Sequence, residues 1–246
     1  VNAWLNIAGC KARKEFLYLG FALSIMLCAN FAASPAQAAP PPSKAEATQD
    51  AKAMQNAAME RLFAELKKIP GIEATFKEEK HLQLLALPLE SEGVLYFHQD
   101  GYLLRKINEP TPSSVRVTPT ALIIEEGGKT QRMELASHEE VAHMVQSFLW
   151  ILAGDLNALR THFRLHFETA DVSKKVPEDW TLTLTPTHAK VKKLLQKIVV
   201  QGDGVRVRKL RIEEQGGDVT ETQILSVDTA RSFSKEESKK LFGRAP

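Results

Sequence analysis

Between Ile72 and Phe97 the chain reads IEATFKEEKHLQLLALPLESEGVLYF, and its apolar positions alternate with polar ones. Ile72, Ala74, Phe76, Leu82 and Leu84 fall at period 2, and Leu95 and Phe97 resume the pattern after Gly93. That spacing predicts two strands whose apolar side chains share one face, divided by Pro88, Ser91 and Gly93. Upstream the period changes. From about Thr48 to Ile69, Met59, Leu62, Phe63, Leu66 and Ile69 line one side of a predicted helix that Pro70-Gly71 ends.

Short strands follow at regular intervals: Tyr102–Ile107, Ser114–Val117, Thr120–Glu126 and Lys129–Leu135. Asp100-Gly101, Pro110-Thr111-Pro112 and Gly127-Gly128 divide them, the turn chemistry of antiparallel neighbours. The pattern then becomes helical again. Ser137-His138-Glu139-Glu140 reads as a capping box with Ser137 as N-cap. Behind it Val141, Met144, Val145, Phe148, Leu149 and Leu152 make a broad apolar stripe, closed by Gly154. Asp155 then caps a short second helix to about His162. Strands resume over Phe163–Thr169, Trp180–Thr185, Leu194–Gln201, Val205–Glu214 and Val219–Val227. Trp180, Leu182 and Leu184 alternate with threonines, so one face is dry and the other wet. The pattern as a whole predicts a mainly β, α+β chain: a curved antiparallel meander or open barrel with helices inserted mid-sequence.

The ends change the picture. Lys11, Arg13 and Lys14 precede an apolar run from Phe16, with Ala36-Gln37-Ala38 beyond it. Basic region, apolar run and A-x-A site predict a cleaved secretory signal over residues 1–38. The uninterrupted apolar part, Phe16 to Ala29, is shorter than a bilayer span. Both cysteines, Cys10 and Cys28, would leave with it, so neither disulfide nor thiol chemistry is expected afterwards. Residues 39–47 form a proline-rich leader expected to be disordered. A single domain is expected over 48–230, and residues 231–246 form a charged tail whose Leu241 and Phe242 are its docking candidates.

The whole chain carries a net charge of +2. Losing Lys11, Arg13, Lys14 and Glu15 brings its 32 basic and 30 acidic residues into balance. A neutral chain lacks the basic excess that phosphate backbones require, which argues against a nucleic-acid partner.

The spacing of Phe76, Lys80, Leu82, Leu84, Pro88, Ser91, Gly93 and Phe97 resembles the start of LolA, the periplasmic lipoprotein-carrier family, and most of all its divergent LolA-like branch. The resemblance extends through Ala153-Gly154-Asp155-Leu156 with Leu159, Trp180-Thr-Leu-Thr-Leu-Thr-Pro186, Ile198-Val-Val200 and the turn at Gly202–Gly204. It departs at Gln99-Asp100, where the well-studied carriers have an Arg-Pro pair. The resemblance implies an unclosed antiparallel barrel with an N-terminal helix and a mid-chain helical lid over an apolar cavity. It implies a monomeric periplasmic carrier that moves the acyl chains of lipoproteins, or of other lipids, from inner to outer membrane. An inner-membrane exporter of RND-like type would be donor, with an outer-membrane acceptor. The other function compatible with the resemblance is a lipid-sensing regulatory module acting on a membrane-bound partner. Neither implies an enzyme, a cofactor or a metal.

Under this resemblance Phe76, Leu95, Phe97, Leu103, Arg105, Trp180, Leu182, Leu184, Ile198 and Val200 line the cavity, and Met144, Val145 and Phe148 belong to the lid. Without it the apolar members read as ordinary core. Arg105 shares strand parity with Leu95, Phe97 and Leu103, provided the Asp100-Gly101 turn keeps register. A cation there would replace the arginine of the missing Arg-Pro pair, which in the resembled carriers ties the lid to the sheet, meet a lipid headgroup, or lie exposed on a bent strand. Catalytic readings fail on spacing. His138 and His143 are five apart, where a zincin helix needs four. Glu78-Glu79 and Glu125-Glu126 are adjacent in strands, point to opposite faces, and read as solvated.

Overall fold

The computed structural model describes residues 44–243. The expected signal over 1–38 and the proline run of the leader lie outside the described residues. The chain separates into two units, residues 1–49 and 50–246. Of the first, only the opening of a helix is described. That helix, α1, spans Lys44–Leu66, so residues 44–47 of the expected disordered leader are helical.

Eleven strands make one sheet: β1 (Gly71–His81), β2 (Leu89–His98), β3 (Tyr102–Glu109), β4 (Ser113–Val117), β5 (Ala121–Glu126), β6 (Lys129–Glu134), β7 (Phe163–Thr169), β8 (Asp179–Pro186), β9 (Leu195–Asp203), β10 (Arg206–Glu214) and β11 (Val219–Asp228). Their order is β6-β5-β4-β3-β2-β1-β11-β10-β9-β8-β7, all antiparallel. Two meanders are thus joined where β11 pairs with β1. The edge strands β6 and β7 do not pair, so the curved sheet is an unclosed barrel. Those edges are consecutive in sequence, and the chain between them is α2 (Glu139–Leu152) and α3 (Leu156–His162).

Period 2 decides which side is dry. On the inner face Ile72 lies opposite Phe97, Phe97 opposite Leu103, and Leu103 opposite Val117. On the other meander Phe167 faces Leu182, Leu182 faces Val200, and Val200 faces Leu210. Against this face pack Ala58, Met59, Leu62, Phe63 and Leu66 of α1 with Ile151 of α2 and Leu159 of α3, in one continuous core. A smaller cluster of Val117, Leu122, Leu135 and Val145 lies beneath the start of α2.

Two local expectations are corrected, and two short helices are added. β1 ends at His81, and Leu84 is 96% exposed instead of continuing the apolar face. The strand stops because both neighbours stop: His81 pairs with Val219, the first residue of β11, and Lys80 with Leu89, the first of β2. Ser137 does not cap α2. Leu135–Ser137 form a 3-10 turn, and His138 is the N-cap without a side-chain capping bond. The short helix α4 (Ala189–Lys192) was not foreseen, nor was α5 (Lys235–Phe242) within the charged tail.

Gly154 is required twice. Its φ of +66° is left-handed, and a Cβ there would lie 2.6 Å from the Lys67 nitrogen, where the end of α2 meets the end of α1.

Candidate functional site

The inner face carries the predicted cavity residues in two groups. Leu95, Phe97, Leu103 and Arg105 come from β2 and β3, beside Phe76 of β1. Trp180, Leu182, Leu184, Ile198 and Val200 come from β8 and β9. The Asp100-Gly101 turn keeps register: Phe97 pairs with Leu103 and Leu95 with Arg105. Phe97, Trp180, Leu182, Leu184, Ile198 and Val200 are buried in the main core, with Leu95 and Leu103 packed against it. This face is filled by protein side chains, those of α1 above all. Its apolar stripe was legible in the sequence but was not assigned to the site.

Phe76 is buried yet belongs to neither apolar cluster. Its cover is Arg105, whose guanidinium carbon lies 4.6 Å from the ring centroid. Gly93 makes the room, since a Cβ there would sit 2.9 Å from the Phe76 ring and 1.9 Å from the Lys106 carbonyl oxygen. Arg105 Nη2 lies 2.8 Å from Glu78 Oε1, with both side chains under a fifth exposed. No N–H of that nitrogen is aimed well enough to make a hydrogen bond, so the contact is Coulombic. Thr222 Oγ1 donates to the other Glu78 oxygen at 2.9 Å. Glu78, read from the sequence as solvated, is therefore half-buried on the inner face. The signal was its parity with Ile72, Ala74 and Phe76.

The lid residues divide. Val145 joins the smaller cluster and Phe148 packs on the main core. Met144 is half-buried and packs on neither. Leu149 touches both clusters, and Ile151, absent from the expected stripe, is buried. The two covers are held differently. Hydrogen bonds anchor α1: Gln55 exchanges two with the backbone of Thr169, and Arg61 Nε donates to the Lys174 carbonyl at 3.2 Å. α2 meets its surroundings through apolar side chains, the ring contacts of His143 and Trp150, and an ion pair from Glu139 to Lys190 of α4. Lys190 holds the Glu139 carboxyl below its usual range.

Where α2, α3 and α4 approach, the fold gathers His143, His162 and His188. The His143 ring centroid lies 5.4 Å from that of His162 and 5.3 Å from that of His188. Trp150 stacks on His162 at 4.7 Å. Burial, then His143 and His188, push the His162 pKa down. Among the described residues no group of three or more His, Cys, Asp or Glu side chains is arranged to hold a metal ion.

Two depressions open on the surface. One of about 290 Å³ is lined by Lys77, Glu79, Arg208, Lys209, Glu221 and Gln223. The other, of about 590 Å³, includes Trp180 among mostly polar neighbours such as Gln55, Glu168 and Arg208.

The model of the family described as outer membrane lipoprotein carrier protein LolA-like matches residues 51–241. The chain belongs to that LolA-like family. The match covers the whole sheet, its helical insertion and most of α5. No curated protein matches the sequence. Among solved structures, a LolA superfamily protein from Nitrosomonas europaea is 12% identical, covering 76% of this chain and 96% of its own, with a TM-score of 0.38. A DUF1329 family protein from Desulfovibrio piger is 12% identical, covering 77% and 98%, with a TM-score of 0.44. The Mycobacterium tuberculosis lipoprotein LppX is 10% identical, covering 74% and 99%, with a TM-score of 0.38. Among the described residues no helix is long and apolar enough to cross a membrane.

Proposed function

We propose that this LolA-like protein is a periplasmic carrier that takes up acyl chains, of lipoproteins or of other lipids, between its inner sheet face and its helices, and passes them from the inner to the outer membrane. The observation that carries this reading is the division of labour over the inner face. A large apolar surface of an unclosed sheet is covered by helices, and one of them, α2, is held chiefly by apolar contacts. An acyl chain offers the same chemistry as the side chains it would displace. Leaving a 16-carbon chain in water costs about 12 kcal/mol at roughly 0.8 kcal/mol per methylene. Burial against the face of Leu95, Phe97, Leu103, Leu182 and Val200 returns most of that, and re-covering of the face by Val145 and Phe148 favours release. On this reading the donor is an inner-membrane exporter, of the RND-like type the sequence resemblance implies, and the acceptor is in the outer membrane.

Extraction and mass spectrometry of the purified native protein should yield acyl-bearing lipid or lipoprotein. Leu103→Glu places a charge among the apolar residues and should abolish that retention, while circular dichroism reports the same secondary structure. Undiminished retention in Leu103→Glu would remove the inner face from the binding site. The milder Leu103→Ala, expected to lower retention only in part, serves as a second variant if the first unfolds.

A further inference from the structure

The β1–β2 connection is the most apolar exposed segment of the described protein. Leu84 is 96% exposed, Leu87 78%, Leu85 48% and Leu89 45%. Among the described residues the other large apolar side chains exposed to this degree, Met54 and Leu225, stand apart from it in sequence. A patch of this kind on a soluble domain marks a contact surface. The segment is also held in shape. The Gln83 N–H donates to Asp218 Oδ1 at 2.9 Å, Gln83 Nε2 donates to the Gly217 carbonyl at 3.0 Å, and the Leu85 N–H donates to the Leu82 carbonyl at 3.0 Å. Pro88 fixes the backbone before β2. The leucines are therefore presented by a fixed platform.

We infer that this leucine tip docks the protein on a lipid bilayer by inserting Leu84 and Leu87 into the acyl region. The composition favours hydrocarbon over a protein partner. The tip is aliphatic and protruding, without the Trp, Tyr and Arg anchors that dominate protein interfaces, where leucine is under-represented. The nearby lysines are already paired inside the protein. Lys80 lies 3.3 Å from Glu214, and Lys77 contacts Glu90 and Glu92. The attraction is thus hydrophobic and owes nothing to lipid charge. Platform rigidity removes the ordering cost that a mobile loop would pay. The tip also lies at the end of the sheet nearest Glu78 and Lys80, so docking brings the polar end of the inner face to the membrane. The inference rests on the tip's own exposure and can be measured with no cargo present.

The test uses the full chain with neutral phosphatidylcholine vesicles. Leu84→Glu combined with Leu87→Glu should lower co-sedimentation by about tenfold or more, since a carboxylate is far costlier than leucine within a bilayer. Leu225→Glu, an equally simple change away from the tip, should leave binding as it was. In Leu84→Trp, the emission gained over the parent chain should shift to the blue on adding vesicles and be quenched by brominated acyl chains. The inference is overturned by equal binding of the double variant and the parent chain, or by tip emission that vesicles do not alter. It is likewise overturned by binding that requires anionic lipid, or if the leucines serve only self-association in the absence of vesicles. Loss of vesicle binding with cargo retention intact would separate this inference from the acyl-binding proposal.

Discussion

Arg105 sits on an apolar sheet face at a position where leucine or valine would otherwise be expected, and its surroundings explain how it is tolerated. Phe76 supplies a ring for its guanidinium, Glu78 supplies countercharge, Thr222 satisfies the second carboxylate oxygen, and Gly93 leaves the space between them. Such a pair confers little net stability, but either member alone is a partly desolvated charge. Arg105→Met should therefore destabilise the protein by about 1–3 kcal/mol in urea unfolding, and Arg105→Met with Glu78→Met should recover most of the loss. An additive double variant would mean that the two side chains do not act as a pair. Parity offered the inner face for Arg105 beside an exposed position on a bent strand, and the register kept across the Asp100-Gly101 turn decides for the inner face. The same parity placed Glu78 there, but its neighbour Glu79 suggested a solvated pair, and a long-range partner leaves no mark in local spacing. Leu84 failed in the opposite sense, since its alternation continues past the last residue for which β2 and β11 provide partners.

At the scale of elements, strands were legible because alternation and turn residues are local, and the apolar stripes of α1 and α2 were legible for the same reason. The 3-10 turn before α2 and the four-residue α4 were not, since one turn carries too little periodicity. What sequence also hides is which elements meet. His143 of α2, His162 of α3 and His188, the N-cap of α4, are up to 45 positions apart in the chain yet adjacent in the fold. Facing them are Trp150, Glu139 (3.7 Å from His143) and Lys190. His162 has its pKa lowered by burial first and by the other two histidines second. A base with a depressed folded pKa binds fewer protons folded than unfolded, so its contribution is present above the unfolded value near 6.5 and is lost as pH falls below it. Melting temperature should fall on acidification from pH 7.5 to about 5.5, and His162→Gln should flatten that dependence. An unaltered pH profile in His162→Gln would place the titrating group elsewhere. Because the cluster joins α2 to α3 and α4, the same acidification should loosen α2 before the sheet, visible as lower hydrogen-exchange protection over Glu139–Leu152 once the intrinsic rate at each pH is divided out.

Across the whole molecule, both sheet faces are covered, each by different elements. The inner face is covered by helices, and under the proposed function part of that cover must give way. The outer face of β2 and β3 is clamped by α5, which the charged sequence concealed because only Leu241 and Phe242 are apolar. Phe242 is 1% exposed and packs among Phe233, His98 and Tyr102 at centroid distances of 5.3, 6.1 and 6.1 Å. Arg116 donates to the Leu241 carbonyl at 3.0 Å, and Arg231 bridges Glu73 and Glu237. A capping box with Ser234 starts the helix, and the Ser234 N–H together with Arg231 holds the Glu237 carboxyl down to about 2. This anchorage stands on the face opposite Leu95, Phe97 and Leu103, so it can be weakened without touching the proposed binding surface. Phe242→Ala should cost about 3–5 kcal/mol, as buried phenylalanine truncations do, read as a lower urea midpoint with unchanged slope. Lipid retained per folded molecule should stay the same, because the inner face is intact. If Phe242→Ala instead empties the protein of lipid while it remains folded, the two faces are coupled, and the outer clamp takes part in the proposed uptake and release.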